Sequence, residues 1–296
     1  MVPEYSLTFI QEANMKTVQE LNEIARRVRI GALRGIHAAK SGHPGGSFSV
    51  ADILVALYFN EMNIDPENPE MEGRDRLVLS KGHACPALYA TLAERGYFDP
   101  EEMVTLRALG SRLQGHPNME VCPGIEMSTG SLGQGFSAAV GMAIAAKMDN
   151  APGTVYTVTG DGELQEGIIW EAAMSAAKHN LDNLIAVVDW NNLQIDGWVD
   201  DVKKVAPIDK KFEAFGWKAI NVDGHDMQAL LDAFEEAKSI KGQPVVIVAK
   251  THKGHGVSFM EDQAGWHGKA PDDEQFYDAL KELGCTEEEL RAYTGK

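Results

Sequence analysis

Cysteine is scarce in this chain: three in 296 residues, Cys85, Cys122 and Cys285, with no two close enough to make a CxxC pair. That spacing supports neither a disulfide framework nor a zinc site, so all three read as reduced, structural thiols. Basic residues are also few, with 27 Lys and Arg against 44 Asp and Glu and a formal net charge of −17. Such a surplus of acid gives no electrostatic footing to nucleic acid or an anionic membrane as a general partner, and otherwise means mainly solubility. Long apolar runs are missing too. The stretch of small apolar residues from Phe136 to Ala146 is far short of the roughly 20 residues a membrane-spanning helix needs. The N-terminal segment does not join a basic start to an apolar core, as a secretory signal would. A cytoplasmic protein is expected.

What is present fits one large α/β domain covering residues 1–296. With 44% hydrophobic residues the chain can bury a full core, and no repeat, linker or low-complexity tract divides it. Val18, Leu21, Ala25, Val28, Ala32 and Ile36 recur at helical spacing, predicting a helix over 17–40 that ends at Ser41-Gly42. Further helices are expected near 48–59, 86–95, 101–108, 134–148, 163–179, 209–215, 227–240 and 287–293. Strands are expected near 75–79, 155–159, 184–189, 217–221 and 244–250. The alternation predicts a parallel sheet with helices on both faces.

The densest chemistry lies in residues 160–197. Val155 to Thr159 is a β-branched and aromatic run leading to Gly160-Asp161-Gly162, and Leu184 to Val188 is a second run leading through Asp189 to Asn191. A strand, crossover helix and parallel strand place Asp161 and Asn191 together at the carboxyl edge of the sheet. Asp161 offers a charged oxygen, Asn191 an amide oxygen and the backbone just past Asn191 a carbonyl, a donor set suited to a hard cation such as Mg²⁺. Gly162 leaves the backbone bare where a phosphate would approach, over the positive end of the expected helix. Either turn alone is ordinary strand-to-helix punctuation; their spacing makes the pair informative.

These residues resemble the thiamine diphosphate motif, and the chain from Ser41 to His267 resembles transketolase throughout. SGHPGG (41–46), RDRLVLSKGHA (74–84), LGSRLQGHP (109–117), TGSLGQG (129–135), GDGELQEG (160–167) and GWHGKAP (265–271) match in order. The resemblance implies the diphosphate-binding (PP) domain fold, with thiamine diphosphate as cofactor and Asp161, Asn191 and the Leu193 carbonyl as metal ligands. Mg²⁺ is the expected metal, with Ca²⁺ and Mn²⁺ also compatible with oxygen donors. It further implies that His83, Gly130, Ser131, Leu132, Gly162, Asn191 and His267 bind the cofactor and that His43, His116 and His267 handle substrate oxygens. Loop histidines with ordinary pKa values near 6.5 would suit that proton traffic. His37 reads as a helix-surface or core residue; His179, His225, His252 and His255 read as capping or loop residues, the last two close enough in sequence to His267 to share its mouth.

A full transketolase subunit is more than twice this length, so the chain resembles the N-terminal subunit of a split transketolase. The implied reaction transfers a two-carbon ketol unit from a ketose phosphate to an aldose phosphate. The implied partner is a separately encoded C-terminal subunit, two copies of each chain sharing the active sites, with Glu166 and Glu171 and the helix after TGSLGQG near the interface. Alternatives are a deoxyxylulose-phosphate synthase-like or keto acid dehydrogenase α-like subunit, a non-catalytic cofactor-binding module, or a transketolase for an unusual sugar.

Overall fold

The computed structural model describes residues 16–295. Residues 1–15, where a signal segment would lie, and residue 296 fall outside them, so the ends of the expected 1–296 domain are not described. Five strands form one parallel sheet in the order β1-β2-β3-β7-β6: β1 Arg76–Leu79, β2 Val155–Gly160, β3 Leu184–Trp190, β6 Lys218–Asp223 and β7 Val245–Lys250. All five were expected within a residue or two. A sheet covered on both faces needs nearly continuous apolar strands, which is why Val245 to Ala249 carries no polar alternation.

Alternate strand residues feed two cores. Leu77, Leu79, Tyr156, Val158, Ile185, Val187, Val245 and Ile247 pack on one side against helices α1 (Val18–Ala39), α2 (Pro44–Ala56), α3 (Cys85–Arg95) and α8 (Met227–Ser239). Val78, Val155, Leu184, Ala186, Val188, Val246 and Val248 pack on the other against α4 (Gln134–Met148), α5 (Gly167–Lys178) and α7 (Ile208–Ala214). Short elements complete the order: a two-residue hairpin, β4 (Leu193–Gln194) and β5 (Gly197–Trp198), runs into α6 (Val199–Lys203). At the C-terminal end come α9 (Asp273–Glu282) and α10 (Glu287–Thr294).

Several boundaries depart from the sequence reading. Helix α2 begins at Pro44 rather than 48 and ends at Ala56, continuing as a π turn over Leu57–Glu61. All thirteen α2 residues are buried, so no amphipathic period marked its start. The segment 101–108 is a 3-10 turn, Pro100–Thr105. The expected helix 163–179 is split: a 3-10 turn, Gly162–Gln165, then extended Glu166, then α5. Any helix-dipole help at Gly162 therefore comes from a short turn, not from the start of a long helix. Helix α9 was not expected; a capping box between Asp272 and Gln275 starts it. Cys85, Cys122 and Cys285 are free, and burial raises their thiols to about 12, 12 and 11, which leaves them protonated and inert at neutral pH. Among the described residues no helix is long and apolar enough to cross a membrane.

Candidate active site

Four adjacent strands deliver their next residues to one place at the carboxyl edge of the sheet. Ser80, Lys81 and His83 follow β1; Asp161 and Gly162 follow β2; Asn191 and Leu193 follow β3; Thr251 and Lys253 follow β7. Open α/β sheets bind ligands at this edge because strand ends and loops leave a crevice there. The crevice is a cleft of about 320 Å³ lined by His43, His83, Gly130, Leu132, Asp161, Gly162, Asn191, Leu193, Lys253 and His267, among others. Ser131 is exposed and does not line it, although its neighbours Gly130 and Leu132 do.

The three residues expected to hold the metal, Asp161, Asn191 and Leu193, all line this cleft. Asp161 is 2% exposed, its Oδ1 accepting the Gly162 N–H at 2.9 Å and its Oδ2 the Asn192 N–H at 2.6 Å. Burial, and then the nearby Asp189 carboxylate, push it up to about 7. Asn191 Oδ1 accepts the Leu193 N–H at 3.1 Å, and Lys253 Nζ donates to the Leu193 carbonyl at 2.8 Å. That carbonyl keeps a second lone pair.

Beneath them lies a charge network whose pairing the motifs do not reveal. Asp189 is fully buried and accepts from Lys81 Nζ, Thr251 Oγ1 and, at 2.6 Å, Ser49 Oγ. Burial opposes its ionisation, yet the Lys81 ammonium and the three donors hold its carboxyl below the ordinary value. Glu163 is a second missed residue. Its Oε1 accepts from Ser80 Oγ at 2.6 Å and the Gly133 N–H at 2.7 Å; its Oε2 accepts from Thr159 Oγ1 at 2.6 Å and the Gly160 N–H at 3.1 Å. One carboxylate thus ties the TGSLGQG turn to the GDG turn. By contrast Glu166 and Glu171 are both exposed on this chain.

Of the four histidines singled out by the motifs, His43, His83 and His267 line the cleft, and His116 lies just outside it beside His43. Ring centroids are 5.3 Å apart for His43 and His83, 5.5 Å for His43 and His267, 5.1 Å for His83 and His267, and 6.4 Å for His43 and His116. His116 is exposed and lines a neighbouring, wider cleft of about 900 Å³ with Arg107 and Gln114. Tyr89 holds this loop by donating to the Gln114 and His116 carbonyls at 3.0 Å. The histidines do not keep ordinary pKa values. Burial first, then nearby cations, lowers His43 to about 4 and His267 to about 3, and pushes His83 and His116 down as well. All four are therefore neutral at pH 7 in this chain, correcting the expectation of values near 6.5. Lys253, 2.9 Å from His267 Nδ1, is itself lowered to about 8 by burial and by Lys81.

His252 and His255 do not share the mouth. They turn away to stack with His225, at centroid distances of 6.0 and 3.6 Å. His37 is on the surface, stacked on Phe276 with Nε2 2.9 Å from Asp273.

A parallel sheet whose carboxyl edge carries Asp161 and Asn191 into one cleft with His43, His83 and His267 is the architecture of a thiamine diphosphate-binding domain. The family model "Transketolase, thiamine diphosphate binding domain" matches residues 21–292, and the chain belongs to the transketolase family. It is a transketolase-type enzyme subunit. It is 48% identical over 264 residues to the 6-deoxy-6-sulfo-D-fructose transketolase subunit SqwG of Clostridium sp. (strain MSTE9), covering 89% of this chain and 96% of that one. With an apulose-4-phosphate transketolase subunit of Phocaeicola vulgatus it shares 43% identity over 255 residues, 86% of this chain and 90% of that one. The crystal structure of transketolase from Campylobacter jejuni superposes with a TM-score of 0.86 at 34% identity, over 94% of this chain but 46% of that one. The chain thus spans under half the length of that solved transketolase and nearly all of the two subunits.

The residues present fit thiamine diphosphate with a divalent cation. Among the described residues Asp161 is a buried carboxylate that accepts only backbone N–H groups and forms no ion pair, Lys253 acting on it only from a distance, so a cation would relieve its desolvation. His43 Nδ1 is buried without a hydrogen-bond partner beside the same cleft.

Proposed function

We propose that this chain is the diphosphate-binding half of a two-chain transketolase that moves a two-carbon ketol group from a ketose phosphate to an aldose phosphate. The observation that carries the reading is the meeting of Asp161, Asn191 and the Leu193 carbonyl beside the cluster of His43, His83 and His267. Asp161, Asn191 and Leu193 would hold a divalent metal, with Mg²⁺ the best match to a small set of hard oxygens completed by phosphate and water. Gly162, His83 and Lys253 would face the diphosphate, Lys253 and Lys81 offsetting its negative charge. Thiamine diphosphate, when bound, supplies the carbanion that takes up and releases the two-carbon unit. Around it this chain binds and orients: neutral His43, His83 and His267 each present a nitrogen lone pair or N–H to substrate oxygens, and His116 does so from the wider cleft.

Backbone around Gly130 and Leu132 would meet the aminopyrimidine end of the cofactor from one side. The opposite side would come from a separately encoded C-terminal subunit, in an assembly of two copies of each chain, in the cytoplasm. Support comes from the two subunit-length relatives. The same relatives make sulfosugars and apulose 4-phosphate donors to assay beside common ketose phosphates.

Co-expression with a candidate partner, followed by a ketol-transfer assay with and without thiamine diphosphate, tests the reading. Expected is activity only in the mixture, lost by at least about 100-fold in Asp161→Ala, since one ligand to the metal and its charge both go. Full turnover by the purified chain alone would refute the two-chain reading.

A further inference from the structure

Lys253 reaches the cleft from a loop that has almost no regular structure, yet residues 251 to 254 are each tied down. Thr251 Oγ1 donates to Asp189, the Gly254 N–H donates to the Gly45 carbonyl at 2.9 Å, and Lys253 Nζ spans the Leu193 carbonyl and His267. The remaining tie runs through a histidine outside the cleft. The His252 N–H donates at 2.9 Å to Nε2 of His225, whose Nδ1 lies 2.7 Å from Asp52 Oδ2.

The chemistry of the two partners fixes the ring. Asp52 is buried, its oxygens gripped by both terminal nitrogens of Arg29, and is held at about 2 because Arg29 and His225 outweigh the burial that would raise it. An ionised carboxylate only accepts, so Nδ1 must carry the hydrogen; a backbone amide only donates, so Nε2 must offer its lone pair. His255 stacks flat on this ring and blocks its rotation. Asp52, His225 and His255 do gather within 4.8 Å, the reach of a metal site. The Arg29 guanidinium on both Asp52 oxygens and the hydrogen on Nδ1 argue for a hydrogen-bonded strut instead.

We propose that His225 is a positioning residue: oriented by Asp52, it holds the His252 amide and so seats the 251–255 loop that carries Lys253 to the cleft and to His267. The consequence for turnover rests on the transketolase reading above; the consequence for the loop does not.

Two substitutions separate hydrogen bonding from bulk. His225→Phe keeps a flat ring against His255 but offers neither donor nor acceptor, whereas the amide of His225→Gln offers both. Hydrogen exchange on the full chain is expected to show amides 251–255 opening about tenfold faster in the Phe variant and close to the parent rate in the Gln variant, with the sheet amides of β2 and β3 unchanged. In the complex with its partner, the thiamine diphosphate concentration giving half-maximal ketol transfer should rise about tenfold in the Phe variant, with the sugar KM nearly unchanged. Unchanged loop exchange in the Phe variant, exchange raised evenly over loop and sheet, or an equal rise in both variants would each overturn the proposal. If the parent complex shows no ketol transfer, the functional reading fails while the exchange comparison still decides this one.

Discussion

Single side chains set the chemistry here by how they are buried. The low pKa values of His43 and His267 mean that the fold prefers their neutral forms, and the sign follows: their contribution to stability is complete above the unfolded value of roughly 6.5 and is lost as pH falls toward about 4 for His43 and about 3 for His267. In ring-proton NMR titrations of the isolated chain, His43 should stay neutral until pH nears 4 and His267 until pH nears 3. A midpoint near 6.5 for either would contradict the packing around it. Removing Glu163 should be costly. Glu163→Ala leaves two backbone N–H groups and two hydroxyls without their acceptor, a loss on the order of 3–5 kcal/mol, to be read from urea unfolding midpoints. Glu163→Gln keeps the shape and some of these contacts and should lose less.

At the scale of elements, the strands were the most legible part of the sequence, because β-branched runs such as Val155 to Thr159 and Val245 to Ala249 admit little else. The two loops after β2 and β3 were legible as well, since GDG and the Asn-bearing turn carry their own spacing. The grouping of Asp189, Lys81 and Thr251 was not: 108 residues separate Lys81 from Asp189, and 62 separate Asp189 from Thr251. Nor was the swing of His252 and His255 away from His267, which depends on His225, 27 residues upstream of His252. Helix α4 offers a direct test of the close contact that its glycines permit. A Cβ on Gly135 would lie 2.7 Å from the Ser80 Cα, a backbone atom that cannot swing aside. Gly135→Ala should therefore push α4 off the end of β1, lowering stability by about 1–3 kcal/mol, measured by thermal unfolding, and displacing the Phe136 N–H from Ser80 Oγ.

Across the whole molecule, most of the cleft is built from loops that follow the sheet's carboxyl edge, with His267 added from the loop after the Ala264–Trp266 turn. If the proposed two-chain assembly holds, titrating this chain with a C-terminal transketolase subunit should raise ketol-transfer activity along a straight line that breaks at equal molar amounts; a break at another ratio would argue against equal copies of the two chains. One buried anion has a wider reach than its size implies. Asp189 is the common acceptor for Ser49 from α2, Lys81 from beyond β1 and Thr251 from beyond β7, so it works as a keystone whose neighbours lean on it from separate arches. Loosening any one of them slackens the others, and their substitutions should interfere: Ser49→Ala combined with Thr251→Val should disturb the fold by an amount unequal to the two singles added together. Natural variation at these places would then have to travel in concert, a constraint that the distance along the chain conceals.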